Sequence, residues 1–512
     1  VGSSREIERK YSVDQSFVLP RLTQVDGVAT ARTRRTVTLE AVYYDSDDLR
    51  LARNRITLRR RTGGDDAGWH LKLPVSPGVR DEIHRPLDSS DPVPADLVDL
   101  ATVHLRGAEL RPVARLVTLR TARRLRDMAG RDLAEVVDDQ VTAQTLGATT
   151  VVQKWREIEV ELGAGDPGVL DAVEAVLTGA GAALSASASK LAQVLGPALT
   201  DAPGPDVPPA ATKLRRRTPA GEVVRAYLVA QVEALLATDP RVRLDAPEAV
   251  HRMRVACRRT RSTLRTFAPF FPAELVAHLD VELRDLAGAL SAARDAEVQI
   301  AYFAGRLDDL PADLLRGDVA GAISARLTAD QTAARAEALE MLRSERYLTL
   351  VEDLLALVNG PFVGRSGKPA EKVLPDLLHD ADRRLSRKVG RAAALPVGAE
   401  RDGILHSARK QAKRLRYAAE AVGPVYGPPA AAFARLAESM QELLGTHQDA
   451  TIARGLLRDW GVEAQIAGEP TAFTLGVLLG LEECRARTAE RDFFDLWPDA
   501  SARRHRRWFA RR

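Results

Sequence analysis

Acidic and basic side chains alternate at two-residue spacing near the start of the chain. Glu6, Glu8 and Lys10 occupy every second position, and Glu157, Glu159 and Glu161 do the same further on. Arg59 with Arg61 and His70 with Lys72 repeat the spacing, while Arg80, Glu82, Arg115, Arg120 and Lys190 add charge. Residues two apart share one face of a strand, so each set projects to one side. A single solvent-facing strand has this look. Here strand after strand carries charge on one face and apolar residues on the other. Turned inward in a closed barrel, such faces form a tunnel lined with both signs. Carboxylates in that setting hold Mg²⁺ or Mn²⁺ through oxygen, and Lys and Arg hold phosphate oxygens. The combination suits phosphoryl transfer from a polyanion–metal complex to water.

A second constellation lies in the other half. His251, Arg254, Arg258, Arg259 and Arg261 have offsets 0, 3, 7, 8 and 10, and His406, Arg409, Lys413, Arg414 and Arg416 reproduce them. At 100° per residue, offsets 0, 3, 7 and 10 fall within an arc of roughly 80°. Met253, Ala256, Leu264 and Phe267 lie on the opposite face of the first copy, and Ala408, Leu415, Ala419 and Val422 on that of the second. Each segment is therefore an amphipathic helix with a narrow cationic stripe. From Arg252 to Arg265 there are six arginines and no acid, and from Arg409 to Arg416 five cations and no acid. Like charges three or four residues apart cost a helix roughly 0.2–0.5 kcal/mol per pair. Two such stripes at identical spacing point to a polyanionic ligand, a chain of phosphates, bound by arginine forks and the ammonium of Lys413. His251 and His406 open the stripes as phosphate donors. Asp295 and Asp449, which follow Leu290 and Leu444 at matched positions, are expected to orient the arginines.

The elements that position these groups follow from pattern. Period-2 alternation predicts strands over 6–13, 36–44, 56–61, 69–73, 81–87, 115–121, 133–137 and 155–162. Gly63-Gly64-Asp65-Asp66 marks a hairpin turn between two of them. A short helix is expected over 167–179. The Pro-rich stretch 201–209 breaks every periodicity and reads as a stiff linker. Beyond about 217 the pattern is helical throughout. Eight or so strands with turns between them suggest a sandwich or a closed antiparallel barrel, so the expected class is α+β in two domains: this β unit over 1–200, a linker over 201–214, and an all-α domain over 215–512. The repeated stripes divide the latter into two related helical bundles, 215–358 and 370–512.

Composition bounds the rest. Lys+Arg total 74 against Asp+Glu 70, so the net charge of +4 conceals strong local segregation. Two cysteines, Cys257 and Cys484, exclude a disulfide framework or a cysteine-based metal site and fit a reducing compartment. No run of about 18 apolar residues predicts a membrane span, and the N-terminus shows no signal-peptide pattern. A cytoplasmic protein is the expectation.

Glu6-Ile7-Glu8-Arg9-Lys10 resembles the E-x-E-x-K signature of the CYTH family, the triphosphate tunnel metalloenzymes. Tyr43-Tyr44-Asp45, Leu58 to Arg61, Trp69 to Pro74, Arg80 to Glu82, Glu157 to Glu161 and Ser189-Lys190 follow in the family's order over about 1–195. The resemblance implies an eight-stranded tunnel and triphosphate chemistry dependent on Mg²⁺ or Mn²⁺. Carried over, Glu6, Glu8, Glu157 and Glu159 are the metal-side acids, with Glu6, Glu8 and Lys10 the catalytic set. Lys10, Arg59, Arg61, Lys72, Arg80, Arg115, Arg120 and Lys190 hold phosphates. The family's further acid falls on Asp138 or Asp139.

Residues from about 215 onward resemble the CHAD domain, a helical module associated with inorganic polyphosphate. The polyphosphate-binding set is then His251, Arg254, Arg258, Arg261, Arg265, His406, Arg409, Lys413 and Arg416. The second copy carries Glu420 where the first has Arg265, so the two faces are not equivalent. Three functions are compatible: a metal-dependent inorganic triphosphatase acting on tripolyphosphate with a polyphosphate-binding domain, a non-catalytic polyphosphate-binding protein targeted to polyphosphate granules, and an adenylate cyclase, for which no residue identifies an adenine pocket. Charge alone also permits nucleic acid, but no reading module accompanies it.

Overall fold

The computed structural model describes residues 2–87, 92–147, 149–211, 213–328 and 331–510, the side chains of 2–3, 292–297 and 331–332 excepted. The chain divides into two compact units, Val1–Asp206 and Val207–Arg512.

The first unit is built on strands β1 (Gly2–Val13), β2 (Thr30–Thr33), β3 (Val37–Asp45), β4 (Thr57–Thr62), β5 (Gly68–Ser76), β6 (Val79–Pro86), β7 (Arg111–Arg126), β8 (Asp132–Thr145), β9 (Val152–Leu162) and β10 (Ala183–Leu184). Eight of them close into an antiparallel barrel in the order β1-β6-β5-β4-β3-β7-β8-β9, with β1 pairing with both β6 and β9. Its residues 2–7 run against β6 and its residues 8–13 against β9. β2 and β10 pair only with the outside of β7 and β1. Gly63 and Gly64 turn the β4–β5 hairpin at φ 80° and 75°, the left-handed region that glycine enters without a Cβ clash. The predicted strands are all present, most of them longer than their local alternation. The sequence reading did not contain β2 or the helix α2, placed below.

Four helices complete this unit: α1 (Arg50–Arg53), α2 (Ala95–Leu105), α3 (Gly168–Gly179) and α4 (Lys190–Asp201). Leu170, Val173 and Leu177 of α3 cover Tyr11, Val136, Ile158 and Val160 on the barrel's outer face. α4 does the opposite job. Its Leu191, Val194 and Leu195 pack with Ala41, Tyr43, Leu116, Val141 and Ala143, residues of the inward-facing register. The apolar part of the interior is thus filled by a helix, and the charged side chains line the remainder. Asp206, inside the expected linker, is fixed to this unit by Arg53 at 2.5 Å, Asn54 at 2.8 Å and Arg106 at 2.9 Å.

The second unit is all helical: α5 (Ala220–Arg243), α6 (Ala249–Thr266), α7 (Ala273–Asp308), α8 (Val319–Thr328), α9 (Gln331–Arg343), α10 (Glu345–Asn359), α11 (Ala370–Ala394), α12 (Ala399–Tyr426), α13 (Pro428–Ile466) and α14 (Thr471–Ala500). α5 and α11 begin alike, each after a proline. Ala220 N donates to Lys368 O and Ala370 N to Thr218 O, both at 2.8 Å, so the two helix starts are reciprocally bonded. α6 packs against α12, and every apolar residue assigned to their inner faces is buried. Among the described residues, no helix is long and apolar enough to cross a membrane.

Candidate functional site

Cross-strand register brings the charges of the barrel together. Directly opposite one another stand Glu6 and Arg80, Lys72 and Glu82, Arg59 and His70, Tyr43 and Arg59, Arg120 and Asp139, Asp139 and Glu157, and Lys10 and Glu159. Opposed residues on neighbouring strands share a face, so one ring of both signs runs around the interior.

At its acidic pole Asp139, Glu157 and Glu159 converge. All three are buried, and each offers an oxygen within 4.8 Å of the others. Lys190, at the first turn of α4, places its ammonium among them at 2.9 Å, 2.6 Å and 2.7 Å respectively. The Ser189 hydroxyl caps that helix by accepting from Ala192 N at 3.0 Å. Arg120 adds two bonds to Asp139, at 2.9 Å and 2.6 Å, and one to Glu159 at 3.0 Å. Lys10 joins Glu159 to Glu8, the latter at 3.3 Å. Burial alone would raise Glu159, but Lys10, Lys190 and Arg120 hold it well below the carboxylate range. Burial likewise works against Lys190, and the three acids raise it regardless.

Glu6 and Glu8 form a separate group. Lys72 reaches Glu6 at 2.5 Å and Glu82 at 3.6 Å, and Arg80 reaches Glu8 at 3.7 Å. Burial and a hydrogen bond shared with Glu82 push Glu6 up to about 8. Burial opposes ionisation of Glu82 as well, yet the hydrogen bonds from His70 and Glu6 and the charge of Lys72 keep it anionic. His70 Nδ1 lies 2.8 Å from Glu82.

The basic pole is Arg59 and Arg61. The Nε of each is buried with no hydrogen-bond partner. Arg59 Nη1 donates to Tyr43 Oη at 3.2 Å, and Arg61 is held by Asp66 of the adjoining turn. Burial, then the neighbouring charges of Arg59 and Arg120, lower Arg61 to about 9. A guanidinium so placed gains from an anion, since its buried N–H otherwise bears the desolvation cost alone.

Two expected residues are corrected. Arg115 lies on the outer face with exposed Val117 and Leu119, and pairs with Glu40 at 2.7 Å. It is five residues from Arg120, an odd separation that places the two on opposite faces. Asp138 also faces outward, bonded twice to Arg156 at 2.9 Å, so the inward acid is Asp139. The sequence reading assigned no site role to Tyr43, Glu82 or Glu161. Glu82 and Glu161 share the two-residue spacing of the set and were legible by that rule.

The donor set at Asp139, Glu157 and Glu159 is all oxygen, as hard divalent cations require, and fits Mg²⁺ or Mn²⁺. The position now satisfied by the Lys190 ammonium is the centre of that set.

In the helical unit, Arg254 and Arg258 of α6 face Arg409 and Lys413 of α12. Burial and then Arg258 and Arg409 depress Lys413 to about 7, with Asp449 of α13 opposing. Arg258 Nε donates to Tyr417 Oη at 3.1 Å, and Arg409 lies 3.9 Å from Asp449. Further along, Arg261 and Arg265 meet Asp280 of α7 at 3.3 Å and 2.5 Å. Arg414 is lowered by burial and by Arg265, with Arg384 of α11 contributing. Arg416 pairs with Glu420 at 2.9 Å and Glu438 at 2.7 Å. The stripes that lack acids locally thus receive some from other helices, least around Lys413. His251 is exposed, whereas His406 is half-buried and lowered by burial, Lys410 and Arg409. Asp295 lies outside the described side chains.

Comparison with known proteins places these features. Residues 4–194 match the family model of the CYTH domain, and residues 226–458 that of the CHAD domain. An uncharacterized protein of Mycobacterium tuberculosis, matched in two strains, is 40% identical over 490 residues, 92% of each chain. Among solved structures, PptA from Streptomyces chartreusis is 25% identical with a TM-score of 0.44, covering 55% of this chain and 100% of its own. The CHAD domain from the plant Ricinus communis gives 25% and 0.44, covering 56% and 94%.

Proposed function

We propose that this chain, which belongs to the proteins carrying a CYTH domain and a CHAD domain, is a divalent-metal-dependent inorganic triphosphatase whose helical domain binds polyphosphate. One observation carries the reading. Arg59 and Arg61 present buried, unpartnered guanidinium nitrogens on the same interior face as a three-carboxylate oxygen cluster. An anion and a cation are each provided for, at the two poles of one interior ring.

In this reading Arg59, Arg61, Lys72, Arg80 and Arg120 bind and align the phosphates of tripolyphosphate. Asp139, Glu157 and Glu159 hold Mg²⁺ or Mn²⁺, with Glu6 and Glu8 one strand step away. When bound, the cation screens phosphate charge and activates water. Lys10, already bridging Glu8 and Glu159, stabilises charge on the departing phosphate. The cytoplasm and polyphosphate granules are the fitting locations for such a pairing. Arg254, Arg258, Arg409 and Lys413 supply the long-chain site.

The test is phosphate release from tripolyphosphate, ATP and long polyphosphate with Mg²⁺ or Mn²⁺, for wild type and Glu6→Gln/Glu8→Gln. Metal-dependent release that survives the double substitution sinks the catalytic assignment. A second reading, a phosphate clamp with little turnover, is favoured by Lys190, whose ammonium competes for the cation position. Tight tripolyphosphate binding without release supports the clamp.

A further inference from the structure

A second cluster of ligand-type side chains lies in the helical unit, away from the basic stripes. Asp402 of α12, His447 of α13 and Glu490 of α14 each offer one ligand atom within 4.8 Å of the others. Three different helices supply them, so the cluster is made by tertiary packing rather than by one helix turn. His447 is 2% exposed and Glu490 7%.

The imidazole is short of partners. Its Nε2 stands 3.2 Å from Asp402 Oδ1, while its Nδ1 is buried with no hydrogen-bond partner. A buried polar nitrogen left unpaired costs about 1–3 kcal/mol. Burial lowers the pKa of His447 despite Asp402 and Glu490 beside it.

The carboxylates are oriented from behind. Arg454 Nη2 bonds Asp402 Oδ2 at 3.0 Å, and Arg401 holds Glu490 Oε1. Each guanidinium thus takes one oxygen, and the other oxygen of Asp402 is the one turned to His447, the support that metal-binding carboxylates commonly have. The two arginines also balance the two carboxylates, which sets a limit on affinity that a neutral surround would not.

Access is provided as well. A cavity of about 370 Å³ is lined by Asp402, His406, Gln448, Thr451, Arg454 and Arg458. Asp402 belongs to both cavity wall and cluster, so a solvated ion entering the cavity meets the cluster at Asp402.

We propose that Asp402, His447 and Glu490 form a binding site for a first-row divalent transition cation, Zn²⁺ or Co²⁺, independent of the barrel. One imidazole with two carboxylates suits such ions better than Mg²⁺ or Ca²⁺, which prefer oxygen alone. Three protein ligands leave a coordination position open.

The experiment uses the full chain carrying Asp139→Asn/Glu157→Gln/Glu159→Gln, so that barrel binding is removed. After EDTA treatment and desalting, Co²⁺ is titrated and followed by visible absorption and by metal content. One equivalent retained per chain, with d–d bands that vanish in an added His447→Gln, is the expected result. Asp402→Asn is the companion variant, should His447→Gln fail to fold by circular dichroism. No retained equivalent, or one that persists in either folded variant, overturns the proposal.

Discussion

Removing the ammonium of Lys190 tests the electrostatic design of the barrel most directly. Lys190 is 8% exposed and contacts Asp139, Glu157 and Glu159 within 2.9 Å. In Lys190→Met the apolar stem is kept and the charge deleted. Arg120 still serves Asp139 and Glu159, and Trp155 Nε1 still donates to Glu157 at 2.6 Å. The remaining deficit is one buried carboxylate's worth of compensation, about 3–5 kcal/mol when a buried pair is broken. For a unit of this size, each kcal/mol shifts Tm by about 2–4 °C, so the first transition in EDTA should fall by about 6–20 °C. The sign with pH is fixed by the same charges. Without Lys190, Asp139 and Glu159 lose part of the positive charge that holds them below the ordinary carboxylate range, so the variant comes closest to wild type in acid, as pH falls through those lowered values, and its deficit is full at neutral pH. Mn²⁺ should restore it, because the cation fills the position the ammonium left. At 100 times Kd the gain is about 2.7 kcal/mol, more than half the loss. Wild type should gain less, since there the cation must displace Lys190. The assay is thermal unfolding by circular dichroism at pH 4.5 and 7.5, with EDTA or Mn²⁺. A wild-type Tm for Lys190→Met in EDTA at pH 7.5, or equal Mn²⁺ shifts in both proteins, refutes the reasoning.

Lys413, at about 7, should couple polyphosphate binding to pH. Arg254 and Arg258 of α6, its neighbour Arg409 and Asp449 of α13 are the charged groups facing it. The ammonium form prevails below pH 7, so long-chain affinity should drop about tenfold from pH 6 to pH 8, and Lys413→Met should flatten the profile in fluorescence titrations. The same depression means the free protein gains stability as pH rises from 7 toward the unfolded lysine value. Arg115→Ala should leave tripolyphosphate hydrolysis within about twofold, because the side chain faces out, whereas Arg120→Ala should lower kcat about 10²-fold. Equal effects in a phosphate-release assay would contradict the inward–outward assignment. Asp280→Asn should tighten polyphosphate binding about threefold at low salt by releasing Arg261 and Arg265, and the gain should fade at 0.5 M salt.

Strand faces were readable where charge repeats every second residue, as in Glu6-x-Glu8-x-Lys10, because parity alone assigns them to one side. Adjacent acids defeat that rule. Asp138 and Asp139 necessarily point opposite ways, and only the pairing of Asp139 with Arg120 and Glu157 fixes which is inside. The odd distance between Arg115 and Arg120 likewise separates them by parity alone. In the helical half, the 100° repeat located the apolar and cationic faces of α6 and α12. It could not supply Asp280, Glu438 or Arg384, which come from the adjoining helices α7, α13 and α11 and reach the stripes only through the way those helices pack. His447 lies 45 residues after Asp402 and Glu490 another 43 beyond His447, so the cluster they form has no local signature at all.

The two proposed phosphate sites differ in how they balance charge, and salt should separate them. Within the barrel nearly every cation already has a carboxylate: Lys10 with Glu8 and Glu159, Lys72 with Glu6, Arg120 with Asp139, Lys190 with three acids. A metal–triphosphate complex entering there would exchange one set of short-range pairs for another. Around Lys413 the balance is different, with Arg254, Arg258 and Arg409 beside it and Asp449 as the nearby acid. Binding of a long polyanion at that surface releases the counterions condensed on the chain, a term that weakens steeply with salt. Raising NaCl from 50 to 200 mM should therefore lower long-chain affinity by at least about tenfold, while the KM for tripolyphosphate with Mn²⁺ changes by less than about threefold. Equal salt slopes for the two would mean that long chains bind through the barrel, and that the paired stripes on α6 and α12 are not a polyphosphate site.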